Sequence, residues 1–175
     1  MERYVAFIEI IGLPVLVERP GDRLTRILRE LEDPLATLGD ARIGEIPARF
    51  LVNSYRATTF ADGIALSTDA NQLGLALLLS LCTRLCERLH HHHLHVRTAA
   101  ARGAIVHTTH IATGPALIQA RALAATAEVD ALILLSGRID ADVHAFAESG
   151  SPFANIRRLD CDGRRHLHLT SPATA

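Results

Sequence analysis

The sequence predicts an α+β fold: a sheet of mainly antiparallel strands with helices packed mostly on one face. Three observations carry this. Apolar runs of strand length alternate with helical patterns in the order β-α-β-β-α-β-α-β-α-β-β, two tight turns, Ala61-Asp62-Gly63 and Asp162-Gly163, join neighbouring strands as hairpins, and no internal repeat or linker interrupts the chain. With 175 residues, 19.0 kDa and 49% apolar residues, one core of ordinary domain size is expected, and residues 1–175 are read as one domain.

Residues 4–11 (YVAFIEII) are β-branched and aromatic, broken only by Glu9 and ended by Gly12, as a buried central strand requires. Residues 13–31 follow as a short helical turn and a fuller helix, separated by Pro20-Gly21, with Leu24, Ile27, Leu28 and Leu31 at helical spacing. Residues 48–59 and 63–67 read as strands around the Asp62 turn. An Ala/Leu-rich helix over 71–90 should pack across the sheet, with Thr68 or Asp69 as N-cap. Residues 96–109 predict a strand, Gly114-Pro115 opens a helix to about Ala127, and residues 131–135 form a strand before a helix over 138–148. Strands over 156–160 and 165–170 complete the order.

Eighteen Lys and Arg against nineteen Asp and Glu, the basic residues dispersed, exclude the field that long nucleic acids need. The longest apolar stretch, LGLALLLSLC over residues 73–82, is about half the roughly 20 residues of a bilayer span and reads as a buried helix. Glu2 and Arg3 stand where a secretory signal would need a basic start and a longer apolar run, so a cytoplasmic protein is expected. Cys82, Cys86 and Cys161 make no even framework and predict reduced thiols; Cys82 and Cys86, i and i+4 on an apolar helix, suit core packing.

Two acids stand out by context. Glu9 interrupts a strand that should be buried, and Asp62 occupies the turn of a neighbouring hairpin; a buried carboxylate costs several kcal/mol without a cationic partner. Two partners suit the residues. A divalent Mg²⁺ or Mn²⁺ would take both carboxylates and leave positions open for phosphate oxygens. Alternatively Glu9 pairs with an Arg such as Arg56 or Arg102, and Asp62 only shapes the turn.

FIEIIGL, FADGIALS, ARGAI and TGPALIQARAL, in that order over residues 5–136, resemble the four landmarks of class III nucleotidyl cyclase catalytic domains, and in particular the compact bacterial pyrimidine cyclases of the Pycsar antiphage system. That resemblance implies a ferredoxin-like (palm-type) sheet. It implies two ions, Mg²⁺ or Mn²⁺, held by Glu9, Asp62 and the carbonyl of Ile10, with the nucleoside 3′-hydroxyl and the pyrophosphate leaving group aligned for in-line displacement. Tyr55 and Arg102 match an aromatic and an arginine that face the base or ribose. The implied activity is conversion of a nucleoside triphosphate, CTP or UTP, to a 3′,5′-cyclic nucleotide (cCMP or cUMP) and pyrophosphate. The implied assembly is an antiparallel homodimer with composite sites, whose product reaches an effector carrying a cyclic-nucleotide-binding domain.

The sequence also departs from that pattern. Glu9 stands where the family has Asp, moving the carboxylate by about an ångström in a site where Mg²⁺ tolerates little error. Ile118 and Ala122 stand where the broader family has an Asn and an Arg that contact the transition state; Gln119 and Arg121 are a residue off, a rotation of about 100° on a helix. Thr58 and Ile111 fall near the positions of the purine-selecting Lys and Asp of animal adenylyl cyclases, which favours a pyrimidine or an unassigned base. These departures support an alternative: a degenerate domain that binds nucleotide or a partner without turnover.

The run of His90 to His93 with His95 has no companion Cys or acid at ligand spacing and reads as a solvated helix end. His107 and His110, at odd separation on one predicted strand, should face opposite sides and read as structural. At Gly114-Pro115, phosphate binding to free backbone N–H groups and simple capping after Thr113 explain the same residues.

Overall fold

Ten consecutive residues, Glu2–Ile11, form strand β1, and all but its ends and Glu9 are buried, because both faces of the strand are covered. The structure, a computed structural model, describes residues 1–18, 21–43, 45–127, 133–148, 156–161 and 164–169, the last two segments by backbone alone.

Helices α1 (Leu13–Glu18) and α2 (Asp22–Glu32) follow, interrupted where Pro20-Gly21 predicts a break. A 3₁₀ turn (Pro34–Leu38), the small hairpin β2 (Arg42–Ile43) and β3 (Ile46–Pro47), and a second 3₁₀ turn (Ala48–Leu51) lead to β4 (Tyr55–Phe60) and β5 (Gly63–Asp69). The strand expected over 48–59 is thus shorter. Ala48 and Leu51 are buried at a spacing of three while Phe50 and Val52 face solvent, a period a strand cannot satisfy, and Ser54 N–H closes a turn on the Leu51 carbonyl at 2.9 Å.

Helix α3 (Gln72–His91) packs on the sheet with its leucines buried, Leu73 only partly. Its N-cap is Asn71, whose side chain accepts from Gly74 N–H at 2.8 Å, in place of the expected Thr68 or Asp69. Those two residues have other partners: Thr68 donates to the Gly74 carbonyl at 2.7 Å and Asp69 pairs with Arg3 at 2.8 Å. Among the described residues no helix is long and apolar enough to cross a membrane.

Strand β6 (His95–Ala104) ends earlier than the expected 96–109. The chain then folds over as an arm, β7 (Val106–His107) and β8 (Ala112–Thr113), before helix α4 (Pro115–Ala124). Gly114 makes this return possible: at φ +145° it lies against the backbone, and a Cβ there would stand 2.7 Å from the Ala104 carbonyl oxygen. His107 and His110 therefore do not share a strand. Strand β9 (Ile133–Leu135), helix α5 (Gly137–Glu148) and strands β10 (Ile156–Cys161) and β11 (Arg164–Leu169) complete the order. The predicted Asp162-Gly163 turn lies outside the described residues, although β10 and β11 pair antiparallel on either side of it.

The sheet order is β10-β11-β9-β6-β1-β5-β4, antiparallel at every junction except β6 with β9. That parallel pair needs a crossover, and α4 supplies it. Tyr4, Ala6, Ile8 and Ile10 point into one core with residues of α1, α2, α3 and α5. Val5 and Phe7 point into a second core built with Ala116, Leu117, Ala120 and Ala124 of α4. Helices on one face, with α4 alone on the other, match the predicted fold class.

Candidate functional site

The two singled-out acids meet on the α4 face. Glu9 has the parity of Val5 and Phe7, and the β1–β5 register sets it opposite Gly63, the residue after Asp62. Ile10 N–H donates to the Asp62 carbonyl at 2.8 Å, tying the hairpin turn to the end of β1. The absence of a side chain at residue 63 permits this approach, since a Cβ there would sit 2.1 Å from the Ile8 carbonyl oxygen.

Arginines flank both acids. Arg121, on α4, donates to the Asp62 carboxylate, and its guanidinium lies over the Phe7 ring at 4.4 Å and the Phe60 ring at 5.3 Å. Phe7 and Phe60 meet edge-to-face at 6.0 Å. Arg97, opposite Glu9 on β6, has Nη1 3.8 Å from Glu9 Oε2, too long for a hydrogen bond. Glu9 Oε2 is buried with no hydrogen-bond partner. Such an oxygen lacks a hydrogen-bond donor and has the Arg97 guanidinium only at 3.8 Å; a pair of carboxylates beside a backbone carbonyl is the hard-oxygen set that Mg²⁺ and Mn²⁺ take, so the residues fit such an ion. Among the described residues, no group of three or more His, Cys, Asp or Glu side chains is placed to hold a metal ion.

Tyr55 and Arg102 lie on the other face of the sheet. Tyr55, Thr68, Tyr4 and Arg102 form one row across β4, β5, β1 and β6. Tyr55 packs against the α3 core, and burial, then the charge of Asp33, raises its hydroxyl pKa. Arg102 pairs with both oxygens of Asp142 on α5 at 2.9 Å and with Glu2 at 3.3 Å. Its guanidinium lies 5.8 Å from the centre of the Tyr4 ring, and the Tyr4 hydroxyl donates to Asp142 at 3.0 Å. Burial and that bond push the Tyr4 pKa well up. The arginine candidates Arg56 and Arg102 are thus not the partners of Glu9: Arg102 is engaged by Asp142, and Arg56 donates to the Asn53 and Tyr55 carbonyls. Within one chain, the structure brings Glu9 and Asp62 together and leaves Tyr55 and Arg102 apart from them. Ile118 and Ala122 lie on the exposed side of α4, Ile118 at 70%.

Sequence reasoning missed Arg97, Arg121 and the role of His107. Arg97 is legible once β1 and β6 are paired, but no local signal marks Arg121 as the partner of Asp62. His107, on the arm, bridges two hydroxyls of the sheet: Nδ1 is 2.8 Å from Ser67 Oγ and Nε2 is 3.0 Å from Thr58 Oγ1. Burial, then the charges of Arg3 and Arg56, lower its pKa from 6.5 to about 4. The histidine run is more than a solvated helix end. His92 caps α3 and pairs with Glu30 at 3.1 Å, while Arg23 donates to the His92 and His93 carbonyls, locking α3 to α2. Cys82 and Cys86 are free and buried, and burial raises the Cys86 thiol to about 11. Gly114, not Thr113, is the N-cap of α4.

No protein-family model matches the chain, and no curated protein matches it by sequence. Solved structures do match in shape. The catalytic core of a rhodopsin-guanylyl cyclase with converted specificity, in complex with ATPαS, superposes with a TM-score of 0.60 at 12% identity, covering 97% of this chain and 96% of that one. The monomeric guanylyl cyclase domain of a rhodopsin fusion protein from the fungus Blastocladiella emersonii gives 0.58 at 12%, covering 96% and 94%. An adenylate/guanylate cyclase/hydrolase from Silicibacter pomeroyi gives 0.55 at 16%, covering 95% and 94%. At these identities the likeness is one of fold.

Proposed function

From the premise that this chain has the fold of class III adenylyl and guanylyl cyclase catalytic domains, we propose that it is a metal-dependent nucleotidyl cyclase. It converts a nucleoside triphosphate, CTP or UTP, to a 3′,5′-cyclic nucleotide and pyrophosphate, and the product signals to a cyclic-nucleotide-binding effector in antiphage defence. The observation that carries this reading is the backbone juxtaposition of Glu9, opposite Gly63, with Asp62 at one end of β1, where Glu9 Oε2 is buried without a hydrogen bond.

In this reading Glu9, Asp62 and the Ile10 carbonyl would hold the ions. Bound Mg²⁺ or Mn²⁺ would lower the pKa of the 3′-hydroxyl and neutralise charge on the triphosphate. The chain itself does the positioning. Glu9 and Asp62, anions themselves, would position the triphosphate only through the ions they hold, and the Phe7–Phe60 edge-to-face pair braces β1 against β4 at that end of the sheet. As the 3′-oxygen bonds to the α-phosphorus, the bond to the pyrophosphate oxygen breaks and the hydroxyl proton leaves to solvent. A homodimer completes each site. In its support, the outer face of α4 and the arm expose Ile118, Val106 and Ile111. Tyr55, packed on the α3 core, and Arg102, held by Asp142 and Glu2, lie on the opposite sheet face from that surface, so the structure gives no support to their facing the nucleotide.

A second reading, a domain that binds nucleotide or a protein without turnover, is favoured by one observation: Asp62 is already neutralised by Arg121. One assay separates the two. Purified protein is incubated with each of the four NTPs and Mn²⁺, and pyrophosphate and cyclic product are measured. The cyclase reading expects product from a pyrimidine triphosphate and none from Asp62→Ala in a chain that remains folded. Absence of product with all four, alongside a nucleotide-dependent rise in Tm, selects the binding reading.

A further inference from the structure

The two acids are satisfied unequally. Glu9 Oε2 is buried without a hydrogen bond, whereas Asp62 Oδ2 receives one from Arg121. Arg121 is held where it is by more than that bond: its guanidinium stacks on two aromatic rings that themselves belong to β1 and to β4, the strand entering the Asp62 turn. The charge on Asp62 is therefore matched by a cation that a metal ion would have to replace. Both side chains retain 39% exposure, which leaves them a path to such an exchange.

Resting on the cyclase reading, we infer that Arg121 is a built-in counter-ion of Asp62 that competes with the divalent metal for the same carboxylate. Loading of the site then requires Arg121 to leave Asp62, and the metal concentration the protein needs is set by how firmly Arg121 holds Asp62. Arg121 is in this sense a positioning residue that keeps Asp62 aimed at the α4 face before metal arrives. The same arginine, once displaced, carries an unmatched positive charge in the last turn of α4, which a phosphate group would match.

The test is Mn²⁺ binding to the full chain without nucleotide, read by the loss of the free-ion EPR signal at neutral pH. Two neutral substitutions, Arg121→Gln and Arg121→Met, are compared with the parent; Met keeps apolar contact with the rings, so a folding defect in one leaves the other informative. Both should bind Mn²⁺ about five- to tenfold more tightly than the parent, and Arg121→Lys, which keeps the charge, should fall between. The gain should vanish when Asp62→Asn is added. Equal Mn²⁺ affinity in the parent and both neutral variants, with Asp62→Asn weakening all of them, overturns the competition and leaves the cyclase reading standing. Mn²⁺ binding indifferent to Asp62, or none in any variant, overturns both.

Discussion

Lowering the pH from 7.5 to 4 should destabilise this protein through His107, and the structure sets the size of the effect. Ser67 Oγ accepts from Arg3 Nε at 3.1 Å, so its own hydrogen is free to point at His107 Nδ1, and Nε2 carries the ring proton toward Thr58. Protonating Nδ1 reverses the Ser67 bond and places a cation near Arg3 and Arg56. The folded ring therefore binds its second proton only below about pH 4, the unfolded ring below 6.5. Between those values the unfolded chain holds more protons, so stability rises with pH. The contribution is complete above 6.5 and is lost as the pH falls through about 4. A pKa displaced from 6.5 to about 4, at about 1.4 kcal/mol per pH unit, gives an upper bound of about 3 kcal/mol. The ring is partly exposed, and solvent screening reduces this to about 1–2 kcal/mol. Urea unfolding followed by circular dichroism at pH 7.5, 6, 5 and 4 measures it. His107→Gln, which has no titrating ring, should lose about 1–2 kcal/mol less than the parent over that interval. Superimposable pH profiles, or an NMR titration placing the His107 midpoint near 6.5, would refute the reasoning.

Three further outcomes follow from the same geometry. Glu9→Asp, which restores the shorter acid of the resembled family, should raise kcat about tenfold in the cyclisation assay; an unchanged or lower kcat removes side-chain length as the cause of any slow turnover. Gly63→Ala forces a Cβ to within 2.1 Å of the Ile8 carbonyl oxygen and should cost about 3 kcal/mol in denaturant unfolding, with loss of activity because β1 and the Asp62 turn separate. Asn71→Ala removes the cap of α3 and should lower stability by about 1 kcal/mol with no change in the denaturant m-value, whereas Thr68 and Asp69, though near the same helix end, do not cap it.

Element type was legible wherever the apolar period was long and clean. Residues 4–11 and 71–90 could be read as a central strand and a long buried helix because burial on both faces leaves nearly continuous apolar runs, and Gly12 and Gly21 mark real ends. The strand over 48–59 was over-read, since Ala48 and Leu51 alternate with apolar residues that face solvent. The unusual placement of Glu9 was legible too, because a carboxylate in an apolar strand is a local anomaly, while Asp62 was legible only through the hairpin turn it occupies. Their partners were not. Whether a carboxylate is matched by an ion, by Arg56, by Arg97 or by Arg121 depends on which cation the sheet register and the α4 crossover carry to within hydrogen-bonding distance, and residues 62 and 121 meet only after β6, the arm and α4 have folded back across β1. Likewise the face on which Tyr55 and Arg102 lie follows from pairing parity across four strands, a non-local quantity that one residue of slip would invert. Composition and periodicity act between near neighbours, so they determine elements; the electrostatics of the site acts between residues brought together by pairing and crossover, so only the tertiary structure decides it.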